Sequence, residues 1–282
     1  MANSRIEDLR ANNKKAWAVR LSGGARLQNG RKSSEPGRPL VTIITSTYNA
    51  ARYLPAVVIS IREQTYDNLE WIIVDGGSKD GTVDILRQNE DVIDYWISEP
   101  DKGIYDAWNK GLQLARGDWI LFLGADDQLL PDAIESMVEV ANESPVPLDL
   151  ISGKAQLHSG TVQRRTIGRP WAWGRFRKYM CVAHVGAMHN ADFFKCYGQF
   201  DSTFRIAGDY ELLLRAGSNL KAGFVNKVLV RMEIGGISNQ NTAVFRETFR
   251  ARLNHGATTR FAGVVSTAWA WLKWNIRRLI KY

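Results

Sequence analysis

The sequence predicts an α/β domain, a mostly parallel sheet flanked by helices, with an amphipathic helix at its C-terminal end. Three observations carry that prediction. Short apolar runs rich in Val and Ile alternate along the chain with segments of helical spacing. Gly, Asp, Ser and Asn separate them. Polar clusters recur where an apolar run stops, which in open α/β sheets is where ligands bind.

The elements follow in order. Residues 40–46 (LVTIITS) read as a first strand. Residues 53–64 read as a helix, because Leu54, Val57, Val58 and Ile61 share a face. A buried strand is expected at 69–75, a helix at 83–88, a short strand at 94–98 and a helix at 104–115 ended by Gly117. Residues 119–123 form the next strand, and Pro131 opens another helix. Past residue 150 the alternation weakens. A hairpin is expected over 151–167 with its turn near Ser159-Gly160, a strand over 182–189, helices over 191–197 and 210–216, and a strand over 222–234. Residues 1–38 read as a loosely ordered basic arm, helical near Ile6 to Val19. A main domain at 39–240 and a helical segment at 241–282 complete the expected organisation.

The chain has 282 residues, enough to bury a sizeable core. Its two cysteines, Cys181 and Cys196, provide neither a disulfide framework nor metal-ligand spacing. A reducing compartment is expected. The first residues lack an apolar signal core, and no stretch reaches the ~18 apolar residues of a spanning helix. The net charge of +8 is unevenly placed. Residues 1–38 hold nine bases and three acids, and residues 250–282 hold seven bases and no acid. The middle is therefore mildly acidic. That argues against a nucleic-acid groove and for ends that touch an anionic surface.

Three polar clusters fall at the carboxyl ends of expected strands. They are Thr47-Tyr48-Asn49, the run from Asp75 through Ser78 and Asp80 to Thr82, and Asp126-Asp127. Adjacent carboxylates repel unless a cation or donors share the site, and hard oxygen ligands suit Mg²⁺ or Mn²⁺ holding a phosphate. An Asp-Asp turn before a helix, with Asp127 or Asp132 capping at Pro131, is the plain alternative. Ser78, Asp80 and the glycines equally suit a turn before a helix, with Asp80 or Thr82 as its cap, and capping is the preferred reading for Asp80. No dinucleotide fingerprint follows the first strand, and no phosphate-cradling Gly-Lys-Ser/Thr loop occurs.

Thr47-Tyr48-Asn49, the run VDGGSKDGT at 74–82, EPDKGIYDAWNKG at 99–111 and GADD at 124–127 together resemble the family 2 inverting glycosyltransferases. The segment 99–111 resembles a bacterial branch that builds capsule, O-antigen and exopolysaccharide. The resemblance covers about residues 40–235. It implies a GT-A fold with a Rossmann-like sheet, a nucleotide-diphosphate sugar donor (commonly a UDP-sugar), a Mn²⁺ or Mg²⁺ cofactor and one-step inversion. Carried over, Asp75 binds the nucleobase, and Thr47, Tyr48 and Asn49 line the nucleoside pocket. Lys102 helps neutralise the diphosphate, unless it is a plain surface lysine. Asp126 and Asp127 fill the acidic metal and ribose site, with the division between them open. Gly124 stands where many relatives have an acid.

The family places its general base, an Asp, at the start of a late helix, and Ala207-Gly208-Asp209-Tyr210 fits. Capping by Asp209 is the structural alternative. His184 and His189 flank an expected strand whose period of two puts them on opposite faces, so both cannot line one site. A contact of one of them with donor or acceptor stays open, and a satisfied structural histidine is the preferred reading for each. Ser238 and Asn239 lie where a loop closes over the donor in this fold. The Gln-x-x-Arg-Trp motif of processive relatives is absent, which implies single additions. Two other classes stay open. A nucleotidyltransferase shares the layout, but Thr47 to Arg52 lacks its Gly-rich loop. A non-catalytic membrane-associated relative would not be expected to keep Asp75, Asp126, Asp127 and Asp209 all acidic.

On a helix over 261–282, Val265, Trp269, Leu272, Ile276, Leu279 and Ile280 share a face rimmed by Lys273, Arg277 and Lys281. Tryptophans, basic residues and no acid describe an interfacial helix. With the lipid-linked or oligosaccharide acceptor that the resemblance implies, the expected setting is cytoplasmic and peripheral, on the inner face of the cell membrane. Packing of this helix on the protein or on a second subunit is the alternative.

Overall fold

A computed structural model describes residues 20–27, 32–234 and 242–280, the last four of them by backbone alone. The expected helix near Ile6 to Val19 and the residues Ser238 and Asn239 lie outside the described residues, as do the side chains of Arg277, Leu279, Ile280 and Lys281.

Among the described residues the strands form one sheet. In chain order they are β1 (Leu21–Gly23), β2 (Val41–Thr47), β3 (Leu69–Asp75), β4 (Tyr95–Ser98), β5 (Trp119–Gly124), β6 (Gln128–Leu129), β7 (Leu150–Ser159), β8 (Val162–Ile167), β9 (Met188–Asn190) and β10 (Ala222–Glu233). Across the sheet they run β1-β4-β3-β2-β5-β9-β7-β10-β6, with β8 beside β7. The centre, β4-β3-β2-β5, is parallel, as is β7 with β10. β9 is antiparallel to β5 and β7 and joins the two parallel blocks.

Helices cover both faces. α1 (Leu54–Arg62), α2 (Thr82–Gln88) and α4 (Ala133–Glu143) pack on one. Leu54, Val57 and Ile61 of α1 and Ile134 and Met137 of α4 meet Val41, Ile43, Trp71 and Ile73 there. α3 (Ile104–Leu114), α6 (Ala191–Tyr197), α7 (Gly208–Ala216) and α8 (Ala243–Asn254) lie on the other, with α5 (Trp173–Phe176) a single turn. Their core contains Ile44, Tyr105, Trp108, Phe122, Phe193, Tyr210 and Leu213. The alternation of Ile43 and Ile44 between the two cores is the strand period read in the sequence. α3 lies flat on β2 because residue 111 is glycine. A Cβ there would come within 2.4 Å of Ile44.

Besides the unexpected short strand β6 and the turn α5, two segments differ from expectation. Within the residues expected to be loosely ordered, Leu21–Gly23 forms β1, antiparallel to β4 at the sheet edge. Arg26 fastens it by reaching buried Glu70 at 3.1 Å and the Leu114 carbonyl at 2.9 Å, and Lys32 pairs with Asp94 at 2.9 Å. Long-range ion pairs of this kind leave no trace in local periodicity. In the expected strand 182–189, only Met188–Asn190 is strand. The Ala187 amide bonds the His184 carbonyl at 3.0 Å, and Gly186 takes a φ of 80°, so the chain turns before it enters the sheet.

α9 (Arg260–Ile280) runs alongside α8. Its inward side is narrow. Gly263 lies against Phe249, Ser266 receives Arg252 at 3.0 Å, and Trp274 meets Phe245 edge-on at 6.0 Å. Its outer side carries Phe261, Val265, Trp269, Leu272 and Ile276, all exposed. Among the described residues no helix is long and apolar enough to cross a membrane.

Candidate active site

Parallel register decides which polar residues meet. Thr47 lies level with Asp75, and Asp75 with Ser98, so three strands stop on one line. Asp75 is fully buried. Its Oδ1 accepts from Thr47 Oγ1 at 2.9 Å and Ser78 Oγ at 2.5 Å. Its Oδ2 accepts from Ser98 Oγ at 2.6 Å and from the amides of Ser78 at 2.9 Å and Gly77 at 3.1 Å. Those donors saturate a carboxylate, which offers about four lone-pair sites. A base N–H reaches Asp75 only when the Ser78 or Ser98 hydroxyl turns away. Ser98 belongs to none of the sequence motifs. Its one sign is its place at the end of β4.

Beside this line, Tyr48 is 68% exposed. Gly76 forms the floor between Tyr48 and Asp101. A Cβ on Gly76 would lie 3.2 Å from the Tyr48 ring and 2.6 Å from the Asp101 carboxylate. Asn49, at a left-handed φ of 50°, donates its amide to Ser78 Oγ at 2.8 Å and accepts from the Lys79 amide at 3.0 Å. Asp80 receives the Thr82 amide at 3.1 Å and the Ala51 amide at 3.0 Å. It ties two loops together, and the residue flanking α2 is Gly81.

Ser46 of β2 is level with Gly124, which brings Asp126 and Asp127 to the same edge. Asp127 is buried and its pKa is pushed up to about 8, by burial first and then by the neighbouring Asp126. Burial also raises Asp126. Gly124 makes room for the pair. A Cβ there would stand 2.4 Å from Asp127 Oδ2 and 3.1 Å from Asp126 Oδ1. The space of the missing acid is thus filled by Asp127. Asp132, not Asp127, flanks α4, without a side-chain cap bond. Asp126 faces a cleft of about 420 Å³ lined also by Gln128, His158, Arg231 and Glu233. Among the described residues no group of three or more His, Cys, Asp or Glu is placed to hold a metal. Two carboxylates fit a divalent cation whose remaining ligands are phosphate oxygens and water.

The segment 99–111 connects this edge to the second half of the chain. Lys110 pairs with Glu99 at 2.8 Å, and Asp101 and Asp106 accept the amides of Gly103 and Lys102. The Lys102 side chain is exposed, and its carbonyl accepts from Arg205. Farther along α3, Asn109 exchanges hydrogen bonds with the backbone of Phe200 at 2.8 and 3.0 Å. Tyr105 donates to the Ile206 carbonyl at 2.8 Å and lies 3.4 Å from Asp209 Oδ1. Its ring leaves no room for a side chain at residue 208, where a Cβ would fall 2.7 Å away.

Asp209 occupies the first turn of α7, where its Oδ1 accepts its neighbour's amide, Tyr210 N, at 2.8 Å. Burial pushes its pKa up to about 6. No hydrogen bond joins it to Asp126 or Asp127 among the described residues. The turn before it is held by a residue the sequence reading missed. Buried Glu247 of α8 accepts the amides of Arg205 at 3.0 Å, Ile206 at 2.9 Å and Ala207 at 2.9 Å. A lone acid in a largely basic C-terminal segment was the only available sign of it.

Known proteins resemble the chain throughout this region. The profile of the family described as Glycosyl transferase family 2 matches residues 42–197. A PGL/p-HBAD biosynthesis glycosyltransferase of Mycobacterium bovis is 32% identical over 217 residues, 71% of this chain and 80% of that protein. The chain belongs to glycosyl transferase family 2. Solved structures agree on the GT-A fold. Residues 1–349 of Staphylococcus aureus TarS, in complex with UDP-GlcNAc, superpose with a TM-score of 0.65 at 16% identity, covering 80% of this chain and 69% of that one. The mannosyltransferase PcManGT of Pyrobaculum calidifontis, with GDP-Man and Mn²⁺, gives 0.57 at 19% identity, covering 87% and 78%.

In this glycosyltransferase the two histidines do not point apart. The turn at Gly186 brings the rings of His184 and His189 to 5.0 Å, inside a cluster with Trp108, Phe122 and Phe194. Nor are they satisfied. His184 Nε2 and both His189 ring nitrogens are buried without a hydrogen-bond partner among the described residues. Burial lowers the His184 pKa from 6.5 to about 3 and takes His189 well below its usual value. Below pH 6.5 the unfolded chain therefore binds a proton at residue 184 that the folded chain refuses until pH falls to about 3. Relative to a His184→Phe variant, wild-type stability should decline by about 1.4 kcal/mol per pH unit across that window and stay level above it. Urea unfolding of both proteins over a pH series checks this, and subtracting the two removes the opposite contribution of Asp127 and Asp209. Parallel curves would contradict it.

Proposed function

We propose that the chain transfers one sugar, with inversion, from a nucleotide-diphosphate sugar to a lipid-linked saccharide acceptor. The assembly of surface polysaccharide is the setting that the resemblance of segment 99–111 implies. What carries the reading is a division of labour within one fold. A strand-end edge gathers Thr47, Tyr48, Asn49, Asp75, Asp126 and Asp127, while a separate buried carboxyl, Asp209, is tied to that edge through α3.

The exposed Tyr48 ring offers a stacking surface for a base, UDP-linked by preference, with Thr47, Asn49 and Asp75 shaping the pocket. Asp126 and Asp127 would hold Mn²⁺ or Mg²⁺ and the ribose, and the metal supplies a Lewis acid for the leaving diphosphate. Lys102 adds a cation at the same edge. Inversion needs a base on the face opposite the leaving group. Asp209 takes the acceptor hydroxyl proton as that oxygen bonds the anomeric carbon and the bond to the diphosphate breaks. Glu247 fixes the turn that aims Asp209.

α9 supports a peripheral position on the inner membrane face. Each exposed apolar side chain on its outer side gains on the order of 1 kcal/mol when half-buried at an acyl boundary. Lys273 sits 5.0 Å from the Trp269 ring, at the edge of that surface.

Asp209→Asn should lower turnover by about a hundredfold or more while UDP affinity holds. In wild type, where the base must be ionised, activity should rise with pH through about 6. Near-normal turnover of the variant in a stopped assay would remove Asp209 from the chemistry.

In calorimetric titrations, UDP should bind more tightly with Mn²⁺ than with chelator, and Asp126→Asn or Asp127→Asn should abolish that difference. Equal wild-type affinity in both buffers defeats the metal assignment.

Replacing Trp269, Leu272 and Ile276 together by serine should release the full-length protein from vesicles containing phosphatidylglycerol, with its melting temperature unchanged. Wild-type binding should weaken as salt rises. Undiminished co-sedimentation of the variant would place the anchor elsewhere.

A further inference from the structure

Between Asp149 and Asp192 the chain holds seven basic residues and no acidic one. In a domain whose middle is otherwise mildly acidic, that run is the exception. Several bases elsewhere are matched by a buried or half-buried acid, among them Arg26 by Glu70, Lys110 by Glu99 and Arg215 by Glu211. Among the described residues, Arg164, Arg165, Arg169, Arg175, Arg177 and Lys178 make no ion pair and no side-chain hydrogen bond. Arg175 is part-buried and the other five are exposed. Five of the six are arginines, whose planar fork matches phosphate oxygens better than an ammonium does.

The run has a defined place. Phe176 lies between Trp171, at 4.3 Å, and Tyr210, at 5.0 Å, and Tyr210 donates to the Phe176 carbonyl at 2.9 Å. Tyr210 is the neighbour of Asp209. On the other side, one side chain bridges the run to both C-terminal helices. Arg252 donates to the Arg177 carbonyl at 3.2 Å and to Ser266 of α9 at 3.0 Å. Arg169 and Arg175 both lie within Coulombic reach of Cys181, so residues six apart in sequence face one spot. The unpaired cations from Arg169 to Lys178 therefore stand between the helix that presents Asp209 and the helix with the exposed apolar face. Trp171 and Trp173, stacked at 6.5 Å, lie in the same stretch.

We infer that residues 169–178 form the binding surface for the phosphate linkage that joins the acceptor saccharide to its lipid. The inference rests on the function proposed above and adds where the acceptor is held. A phosphate at this surface puts the saccharide toward Asp209 and the lipid toward α9, which is the order a membrane-borne acceptor requires. Matching unpaired arginines to an anionic linkage also separates a carried saccharide from a free one.

Farnesyl diphosphate, solubilised in neutral detergent, is the probe, with farnesol as its uncharged control. The full-length protein is first saturated with UDP and Mn²⁺, so that the strand-end edge is filled. Wild type should bind farnesyl diphosphate and not farnesol. A variant combining Arg169→Ser, Arg177→Ser and Lys178→Ser should bind it about tenfold more weakly or worse. Its melting temperature and its co-sedimentation with phosphatidylcholine–phosphatidylglycerol vesicles should match wild type. Equal affinity of variant and wild type overturns the inference, as does failure of wild type to bind. Loss of vesicle binding with farnesyl diphosphate affinity intact also overturns it, and assigns the surface to bulk headgroups. A separate titration with UDP and Mn²⁺, before any farnesyl diphosphate is added, reads the proposed donor chemistry on its own.

Discussion

The carboxylate of Asp75 is the constraint on which the site depends. Register alone brings Thr47, Asp75 and Ser98 level, but level strand ends do not make a surface. Asp75 converts them into one by taking hydroxyls from its neighbours on both sides and the first two amides of its own loop beyond Gly76. The loop so fixed carries Ser78 and Lys79, which hold Asn49, and Asn49 in turn sets the direction in which the chain leaves β2 past Tyr48. A buried carboxylate is costly unless its lone pairs are filled. Here the filling is complete, so the same bonds that make burial tolerable give the edge its shape.

α3 carries that rigidity across the molecule. Asp101 holds the residue before the first turn of the helix, near its far end Lys110 pairs with Glu99 and Gly111 presses on β2, and Tyr105 and Asn109 reach Ile206, Asp209 and Phe200. From the far side Glu247 holds the backbone of residues 205–207, so the turn before Asp209 is gripped between α3 and α8. α8 also contacts α9 through Arg252 and Ser266. Positioning of the proposed base and positioning of the proposed membrane helix therefore share one element.

The sequence was most legible where structure is local. The strands at 69–75 and 119–123, the hairpin at 151–167 and the helices at 104–115 and 191–197 follow from periodicity and turn residues, and the structure places each within a residue or two. The motif residues at strand ends could be located for the same reason. What stayed hidden depends on distant partners. Glu70 and Arg26 draw β1 onto the edge from a stretch that looks featureless. Glu247 finds amides some forty residues away. The histidines misled because a period of two assumes an unbroken strand, and Gly186 breaks it. The unpaired state of the arginines at 164–178 is likewise a tertiary fact, since among the described residues no acid pairs with them, and none lies in the sequence beside them.

The central claim is that the proposed base and the leaving diphosphate act from opposite sides of one sugar. The stereochemistry of the product tests it most directly. With an α-linked nucleotide sugar as donor, a proton NMR time course of the first product formed should show a β-configured anomeric proton from the earliest point, with no α intermediate. An α-configured product would contradict direct displacement, and with it the assignment of Asp209 as the base that drives it.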